Sequence, residues 1–361
     1  MALFSKDKKG GEHYLGVDLG ASGIKLVELA SDKTHARLMT YGYANLPKSD
    51  TSSLFEDPDR AADLLKKIYE KAKCTTKRTI AALPISSVFS SMVSIQKGKE
   101  KDMQEAIRIQ VAKLLPMPIE DVILDTKMID PTEGAGATKK GAAAWARVLI
   151  TAAPKTLVSK YSAIFQKAGL ELLALETETF AHVRSLIGKD RSTILLIDSG
   201  IERTNMSIIE KGVPFLTRSI ATGGRGVTET ISKTLGVPIE QAETMKQDIR
   251  SLQSVAGGDD LSPILDVLVK PILDEVTYTF QLWKDESKQT RTSGQIEKII
   301  LTGGGTLLPG FAEFLTKRTN VNAYLGDPWA RVLTPEKMRP ILDEIGSRFS
   351  VSLGCAMREL D

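Results

Sequence analysis

The sequence predicts an α/β protein of two lobes, and three stretches carry that prediction. Two of them, Gly16–Leu29 and Ile194–Ile209, each run as a strand, a glycine-containing turn and a returning strand. The aspartate of the first hairpin, Asp18, recurs half a chain length later as Asp198. The third stretch is an apolar strand that enters the triple-glycine turn Gly303–Gly305. Two like hairpins, one opening each half, indicate a duplicated architecture with a cleft between the halves.

The two hairpins have the composition of a phosphate site that uses magnesium. Glycine lets backbone N–H groups converge on an anion, and the strand-end carboxylates of Asp18 and Asp198 can hold a hydrated magnesium ion. If they face each other across the cleft, they repel unless a cation neutralises them. The hydroxyls of Ser22 and Thr204 can donate to phosphate oxygens, and Lys25 either reaches the same phosphates or points into solvent. The alternative is two ordinary hairpins with unrelated aspartates.

Bulk composition limits the functional classes. The 361 residues suffice for two lobes. A net charge of +3, without zinc-finger spacing or aromatic–basic interleaving, leads us to exclude nucleic acid as a partner. Two cysteines, Cys74 and Cys355, make no disulfide framework and fit a reducing cytosol. No apolar run reaches the ~18 residues that a membrane span needs, and no signal-peptide core is present. We therefore expect a cytoplasmic protein.

The first half alternates strands with helices, as an α/β lobe does, and the pattern of predicted elements changes near Ser86. Before that point we predict a strand at Ala36–Leu46, a helix capped by Asp57 and ending at Cys74, and a strand at Thr79–Leu83. The elements predicted after it are the strands Val88–Ile95, Val122–Ile129 and Trp145–Ala152 and the helices Glu100–Leu115 and Thr156–Ala168.

The second half continues the alternation after a strand and helix within Leu172–Ile187. Beyond the second hairpin we predict a strand at Phe215–Ile220, three helices and a glycine-containing loop at Ser254–Asp260. The three helices are Val227–Leu235, Ile239–Ile249 and a long one, Pro263–Trp283, kinked near Pro271. A polar linker at Ser287–Gly294 precedes the glycine turn, and the helix Phe311–Thr319 and a mostly helical segment Ile341–Glu359 follow it.

The order of hairpin, hairpin and glycine turn resembles the actin/Hsp70/sugar-kinase ATPase superfamily. Further motifs narrow the resemblance to the type IV pilus assembly protein PilM family, which is itself similar to the cell-division protein FtsA. Those motifs are Leu3–Lys6, Leu115–Val122, Leu175–Ala181 and Ser352–Ala356. The resemblance covers nearly the whole chain and rests on the order and spacing of the motifs. It implies a two-lobed actin-like (ribonuclease H-like) fold with an FtsA-like inserted subdomain IC, and ATP and Mg²⁺ as ligands.

The resemblance also implies a division of the chain into subdomains. We expect subdomain IA at 1–85 and again at 169–196, with the inserted subdomain IC at 86–168 between its two parts. Subdomain IIA is expected at 197–221 and 296–340, with IIB at 222–295 between them. A C-terminal segment, 341–361, is expected to cross back to IA.

The family pattern assigns roles to individual residues. Gln241–Lys246 matches its Ala-Glu-x-x-Lys motif, which implies Glu243 on the ribose hydroxyls and Lys246 on the adenine side. The alternative is a solvated i,i+3 ion pair. The aspartates Asp18 and Asp198 would serve magnesium. The remaining nucleotide contacts would come from Gly20, Ala21, Ser22, Lys25, Gly200, Thr204, Gly223, Gly224, Gly303, Gly304 and Gly305.

Hydrolysis would need a residue that orients water in line with the γ-phosphate. By position, Glu178 is the first candidate and Glu176 the second. The first loop reads Gly-Ala-Ser-Gly where serine-rich versions are common, so fewer hydroxyls are available to phosphate. This weakens the case for fast hydrolysis more than the case for binding, and we expect at most a slow ATPase.

The implied role is that of a cytoplasmic component of the pilus inner-membrane platform. It would bind the N-terminal cytoplasmic peptide of a PilN-like single-pass membrane protein in a groove between IA and IC, in a nucleotide-sensitive way. Copies of the chain in a homo-oligomer or ring, and pilus motor ATPases, are further implied partners. Membrane contact is expected to be indirect.

Three other classes share this fold. A sugar or acid kinase would need an acceptor pocket and a catalytic base, and an Hsp70 chaperone would continue into a substrate domain. An FtsA-like filament former would end in an amphipathic membrane helix, for which Met357–Asp361 leave no room. We therefore expect that a partner brings the protein to the membrane.

Overall fold

The computed structural model describes residues 12–32, 35–46, 56–96, 100–129, 145–290 and 294–360. The motif Leu3–Lys6 lies outside them. The strands are β1 (His13–Gly20), β2 (Gly23–Asp32), β3 (His35–Asn45), β4 (Arg78–Leu83), β5 (Phe89–Gln96), β6 (Val122–Ile129), β7 (Trp145–Pro154), β8 (Glu171–Thr177), β9 (Thr193–Ser199), β10 (Thr204–Glu210), β11 (Val213–Ile220), β12 (Lys298–Thr302), β13 (Ala323–Leu325) and β14 (Val332–Leu333).

The helices in the same ranges are α1 (Pro58–Lys71), α2 (Glu100–Leu114), α3 (Lys155–Lys167), α4 (Glu178–His182), α5 (Gly224–Leu235), α6 (Ile239–Gln247), α7 (Ile249–Ala256), α8 (Ser262–Leu268), α9 (Lys270–Thr290), α10 (Phe311–Thr319), α11 (Arg339–Ile345) and α12 (Ser350–Met357). A π-helical turn, Val183–Ile187, extends α4. None of the described helices combines the length and the apolar character that a bilayer crossing requires.

The first lobe is built on a six-stranded sheet in the order β14-β3-β2-β1-β4-β8. The helices α1 and α3 pack on one face, where Leu65 and Phe165 join the core that surrounds Leu15. Helix α12 lies on the other face, so close to β1 that a side chain at Gly16 would overlap the Ser352 carbonyl oxygen. Because both faces are covered, β1 is apolar along most of its length, and Asp18 lies near its carboxyl end.

The second lobe is built on a five-stranded sheet in the order β11-β10-β9-β12-β13. Strands β9 and β12 are parallel, and Thr302 lies opposite Asp198. The carboxyl ends of parallel strands meet at one edge of a sheet, so the second hairpin turn and the triple-glycine turn emerge side by side. This parallel pair places the two loops at the cleft.

A third sheet, β5-β7-β6, forms with α2 an inserted module in the first half of the chain. Two cation–π contacts tie its strands to neighbouring parts of the molecule. Lys127 of β6 lies 5.6 Å from the ring centre of Phe180 in α4. Arg147 of β7 lies 4.9 Å from the ring centre of Phe215 in β11, across the cleft in the second lobe. The inserted module therefore touches both lobes.

The structure differs from the predicted helices in the second half. The expected single helix Pro263–Trp283 is two helices, α8 and α9, separated at Val269, because the Pro271 ring is tolerated in the first turn of a helix but not in its interior. Helix α9 then runs to Thr290, into the predicted polar linker. A separate helix α7 begins after Asp248, whose carboxylate caps it, where the end of α6 and a loop were predicted.

The return to the first lobe begins before the predicted boundary at 341. Strand β14 pairs with β3 at Val332 and Ala36, so the chain has already joined the first sheet. The ring of Trp329 lies in the same core as Val27 and Leu29. Burial of this large aromatic ring requires apolar neighbours, which β2 of the first lobe provides. The chain therefore rejoins the first lobe at Trp329, before residue 341.

Candidate functional site

Three carboxylates meet where the two lobes face each other. Asp18 lies near the end of β1, Asp198 lies near the end of β9, and Glu178 opens α4. The Glu178 carboxylate accepts hydrogen bonds from the Ile85 N–H at 3.1 Å and the Asn205 amide at 3.4 Å. Burial, and then the negative charges of Asp198 and Asp18, raise the pKa of Glu178 to about 8. The site therefore has more negative charge than it can keep ionised.

The cation on the first-lobe side is Lys25. Its side chain is buried, and Nζ lies 3.3 Å from Asp18 Oδ2 and 3.1 Å from Ser22 Oγ. The alternative in which this side chain points into solvent is therefore wrong, and its contact with phosphates stays a prediction. The hairpin explains why: a two-residue turn, Ala21–Ser22, sets Asp18 directly opposite Lys25 across β1 and β2.

A buried histidine, to which the sequence assigned no role, stands beside the second aspartate. His182 is 1% exposed, and its Nε2 lies 3.4 Å from Asp198 Oδ2. It follows Glu178 by four residues, so both side chains share one face of α4. That spacing was the signal available in the sequence.

The hydroxyl of Thr204 is engaged within the second hairpin. It is completely buried, donates to the Thr222 carbonyl at 2.7 Å and lies 2.9 Å from Ser199 Oγ. This hydrogen bond to the Thr222 carbonyl joins the hairpin to the loop before α5. In this conformation its proton is not directed to the cleft, unlike the expectation that it donates to phosphate.

Glu243 and Lys246 pair at 2.6 Å and are largely buried, with side chains 21% and 15% exposed. Lys246 Nζ also donates to the Gly224 carbonyl at 3.0 Å and to Thr228 Oγ1 at 2.7 Å. The pair is thus built into the junction of α5 and α6, and the alternative of a solvated surface pair is wrong. Its polar atoms face the beginning of α5.

The glycines bring three loops into close contact. A side-chain carbon at Gly305 would lie 2.4 Å from Ser199 Oγ, and one at Gly303 would lie 2.5 Å from Asp198 Oδ1. Gly223 is equally confined, with the Gly200 carbonyl oxygen 2.6 Å from such a carbon. Gly303 also has φ of +85°, which favours glycine. The backbone can approach this closely only because these positions lack side chains.

The other predicted loop positions line the same region. Gly20 lies next to the Lys25 ammonium group, Ala21 is exposed at the tip of the first turn, and the Gly200 carbonyl accepts from the Gly224 N–H at 2.9 Å. Gly304 begins a short 3₁₀ turn beside Arg348. The turn residues of the second hairpin, of the loop before α5 and of the β12 loop are therefore neighbours in space, whereas Gly20 contacts residues of its own hairpin.

Glu176, the second candidate for orienting water, has a different environment. Both of its oxygens accept hydrogen bonds from Arg184, at 2.8 and 2.5 Å, and Arg184 also donates to the Gly354 carbonyl. This ion pair joins β8 to the π-helical turn and to α12. Glu178, by contrast, lies with the two aspartates, so the geometry separates the two glutamates.

These residues fit a magnesium–nucleotide. Asp18, Asp198 and Glu178 outnumber the Lys25 cation, and glycine at 303 and 305 lets the β12 loop approach Asp198 and Ser199 closely. Within the described ranges, no three His, Cys, Asp or Glu side chains are arranged to hold a metal ion. A magnesium ion here would complete its coordination with water and phosphate oxygens, as is usual for this ion.

Comparison with known proteins decides the family. A family model described as "Type IV pilus assembly protein PilM" matches residues 16–360. The chain belongs to this family. The solved structure of a "PilM-PilN type IV pilus biogenesis complex" superposes with a TM-score of 0.76 at 25% identity, over 96% of this chain and 98% of that one. The resemblance inferred from the sequence is thereby confirmed.

More distant relatives of this PilM family member place it in the actin-like branch. The cell division protein FtsA of Bacillus subtilis is 23% identical over 335 residues, which are 83% of this chain and 75% of FtsA. MreB5 of Spiroplasma citri bound to AMPPNP has a TM-score of 0.52 at 15% identity, over 96% of this chain and 95% of MreB5. The MreB5 likeness concerns the fold alone. The predicted α/β, two-lobed actin-like fold is confirmed.

Proposed function

We propose that this PilM family member binds magnesium–ATP between its lobes and that the nucleotide state controls its affinity for a membrane partner. The partner is the N-terminal cytoplasmic peptide of a PilN-like protein, bound between subdomains IA and IC. The proposal places the chain at the cytoplasmic face of the inner membrane, within the type IV pilus assembly platform.

One observation supports the proposed nucleotide binding: the aspartates of both hairpins lie close enough to Glu178 to raise the pKa of its carboxyl. Lys25 pairs with Asp18, and the charges of Asp18 and Asp198 both act on the buried Glu178 carboxyl. The magnesium ion of a bound nucleotide would supply positive charge between the carboxylates and the phosphates, and the hairpin turns would hold the phosphates. Asp18 and Asp198 would hold magnesium-bound water, and Glu243 and Lys246 would contact the adenosine.

Turnover is proposed to be slow, with Glu178 as the residue that orients water. The pKa of its carboxyl is raised to about 8 in the ligand-free protein. The carboxyl is therefore mostly protonated at neutral pH and is a poor proton acceptor there. Glu176 is a weak competitor for this role because Arg184 occupies both of its oxygens. Rapid phosphorylation of a small sugar or acid would instead favour the kinase alternative.

The partner part rests on the similarity to the PilM–PilN complex and on the placement of the inserted module. In that complex a PilM protein is assembled with PilN. In this chain the inserted module contacts α4 through Lys127 and the second lobe through Arg147. A change in lobe closure would therefore change the position of the module relative to the first lobe. That coupling is the proposed source of nucleotide sensitivity.

Calorimetric titration with ATP and magnesium tests the nucleotide part. The Asp18→Ala, Asp198→Ala double variant should lose binding. A matched variant, Asp59→Ala with Asp274→Ala, removes two exposed carboxylates that pair with surface lysines and should bind as wild type does. Unchanged magnesium–ATP binding by the first double variant would overturn the proposed site.

A further inference from the structure

His182 has an unusual environment for a buried histidine. It is 1% exposed, and neither of its ring nitrogens has a hydrogen-bond partner among the described residues. A buried polar group without a hydrogen-bond partner is energetically unfavourable. The nearest charged group is Asp198, whose Oδ2 lies 3.4 Å from Nε2 without the alignment of a formed hydrogen bond.

The two oxygens of Asp198 lie in different surroundings. Oδ2 is the oxygen near His182. Oδ1 lies against Gly303, at the third glycine loop, where a side-chain carbon would be only 2.5 Å away. A donor fixed on Oδ2 would set the rotation of the carboxylate and so decide where Oδ1 points.

We propose that His182 is a positioning residue for Asp198. A small rotation of the imidazole aligns Nε2–H with Oδ2 and turns the 3.4 Å approach into a hydrogen bond. This bond holds the carboxylate in the rotamer that keeps Oδ1 available to magnesium-bound water in the cleft. Helix α4 supplies both the imidazole and Glu178 from one face, so a single rigid element orders the acidic side of the site. This inference rests on the proposed function, because it concerns the same magnesium–nucleotide site.

The binding test compares His182→Leu and His182→Gln with wild type, with ATP titrated in magnesium and in EDTA. Loss of an outer-shell donor typically lowers metal affinity about 10–100-fold. We expect His182→Leu to weaken magnesium–ATP binding at least about tenfold and to leave magnesium-free ATP binding nearly unchanged. His182→Gln should recover most of the loss, because its amide nitrogen can donate from the position of Nε2.

Two results of that titration would overturn the inference. One is an equal loss with and without magnesium in His182→Leu, which would indicate a packing role. The other is unchanged binding in both variants. Ser185→Ala is the matched control: this serine is buried on the following turn and donates to the Ala181 carbonyl, so its removal should not alter the magnesium dependence.

A second measurement does not depend on nucleotide binding. The chain has three histidines, so long-range ¹H–¹⁵N spectra of the imidazole rings can be assigned with His182→Gln. In the ligand-free protein, His182 should carry a proton on Nε2, and Asp198→Asn should shift that resonance. A neutral ring protonated only at Nδ1 would overturn the inference. If wild type also failed to bind ATP, this measurement would still decide the role of His182, so the two failures are distinguishable.

Discussion

Replacement of Glu178 by glutamine should stabilise the ligand-free protein, and more so at higher pH. The pKa of this carboxyl is raised from 4.5 to about 8 in the folded state by burial and by Asp198 and Asp18. Between these two values the folded protein binds more protons than the unfolded chain, so the free energy of unfolding falls as pH rises. Glutamine keeps the shape and an oxygen for the Ile85 N–H but removes the ionisation.

The expected gain follows from the pKa shift at about 1.4 kcal/mol per unit. Relative to glutamine, Glu178 lowers the free energy of unfolding by about 1 kcal/mol at pH 5, about 3 kcal/mol at pH 7 and about 4 kcal/mol at pH 8. Urea unfolding of both proteins in EDTA at these three pH values measures the difference. A gain of the same size at pH 5 and pH 8 would refute the electrostatic reasoning, as would no gain.

The matched control is Glu176→Gln, two residues earlier. Its carboxylate pairs with Arg184, so the same change of chemistry takes the countercharge away from a largely buried guanidinium group. Breaking a buried ion pair costs about 3 kcal/mol or more. The two substitutions should therefore change stability in opposite directions at pH 7, and equal signs would contradict the environments described for the two glutamates.

Three further predictions concern the adenosine side, the glycine loops and the inserted module. Lys246→Ala should weaken ATP binding about tenfold because a charged hydrogen bond is lost, whereas Lys270→Ala, from an exposed pair, should not; calorimetry decides, and equal effects would contradict the assignment. Gly305→Ala should lower stability by about 1–3 kcal/mol, since Ser199 occupies the space, while Gly258→Ala, with nothing within 4 Å, should be neutral in urea unfolding. Arg147→Ala should reduce the effect of ATP on partner-peptide affinity without altering ATP affinity, and Arg147→Lys should retain it; unchanged coupling in the alanine variant would exclude the Phe215 contact as the link.

The sequence was most informative where chemistry is concentrated in short stretches. The repeated strand–aspartate–glycine pattern indicated both hairpins, and the triple glycine indicated the third loop. These features are local, because a turn that approaches another backbone needs glycine at that position. The parallel pairing of β9 with β12, which brings Thr302 beside Asp198, then follows from the α/β order of elements.

Features that depend on contacts between distant segments could not be predicted. The separation of Glu176 from Glu178 depends on Arg184 and α12, which are close only in the folded chain. The approach of His182 in α4 to Asp198 in β9 is likewise visible only in the folded chain, although its spacing from Glu178 was visible in the sequence. The break between α8 and α9 could not be predicted from hydrophobic periodicity. The apolar residues continue through Val269 into the same core although the helix is interrupted there.

Nucleotide binding is proposed to control the affinity for a membrane partner. Calorimetric titration with the cytoplasmic N-terminal peptide of a PilN-like protein, with and without magnesium–ATP, tests it directly. We expect saturable binding whose dissociation constant changes by at least about fivefold on addition of nucleotide, the lower end of typical allosteric coupling. Binding with the same dissociation constant in both conditions, or no binding while ATP still binds, would contradict it.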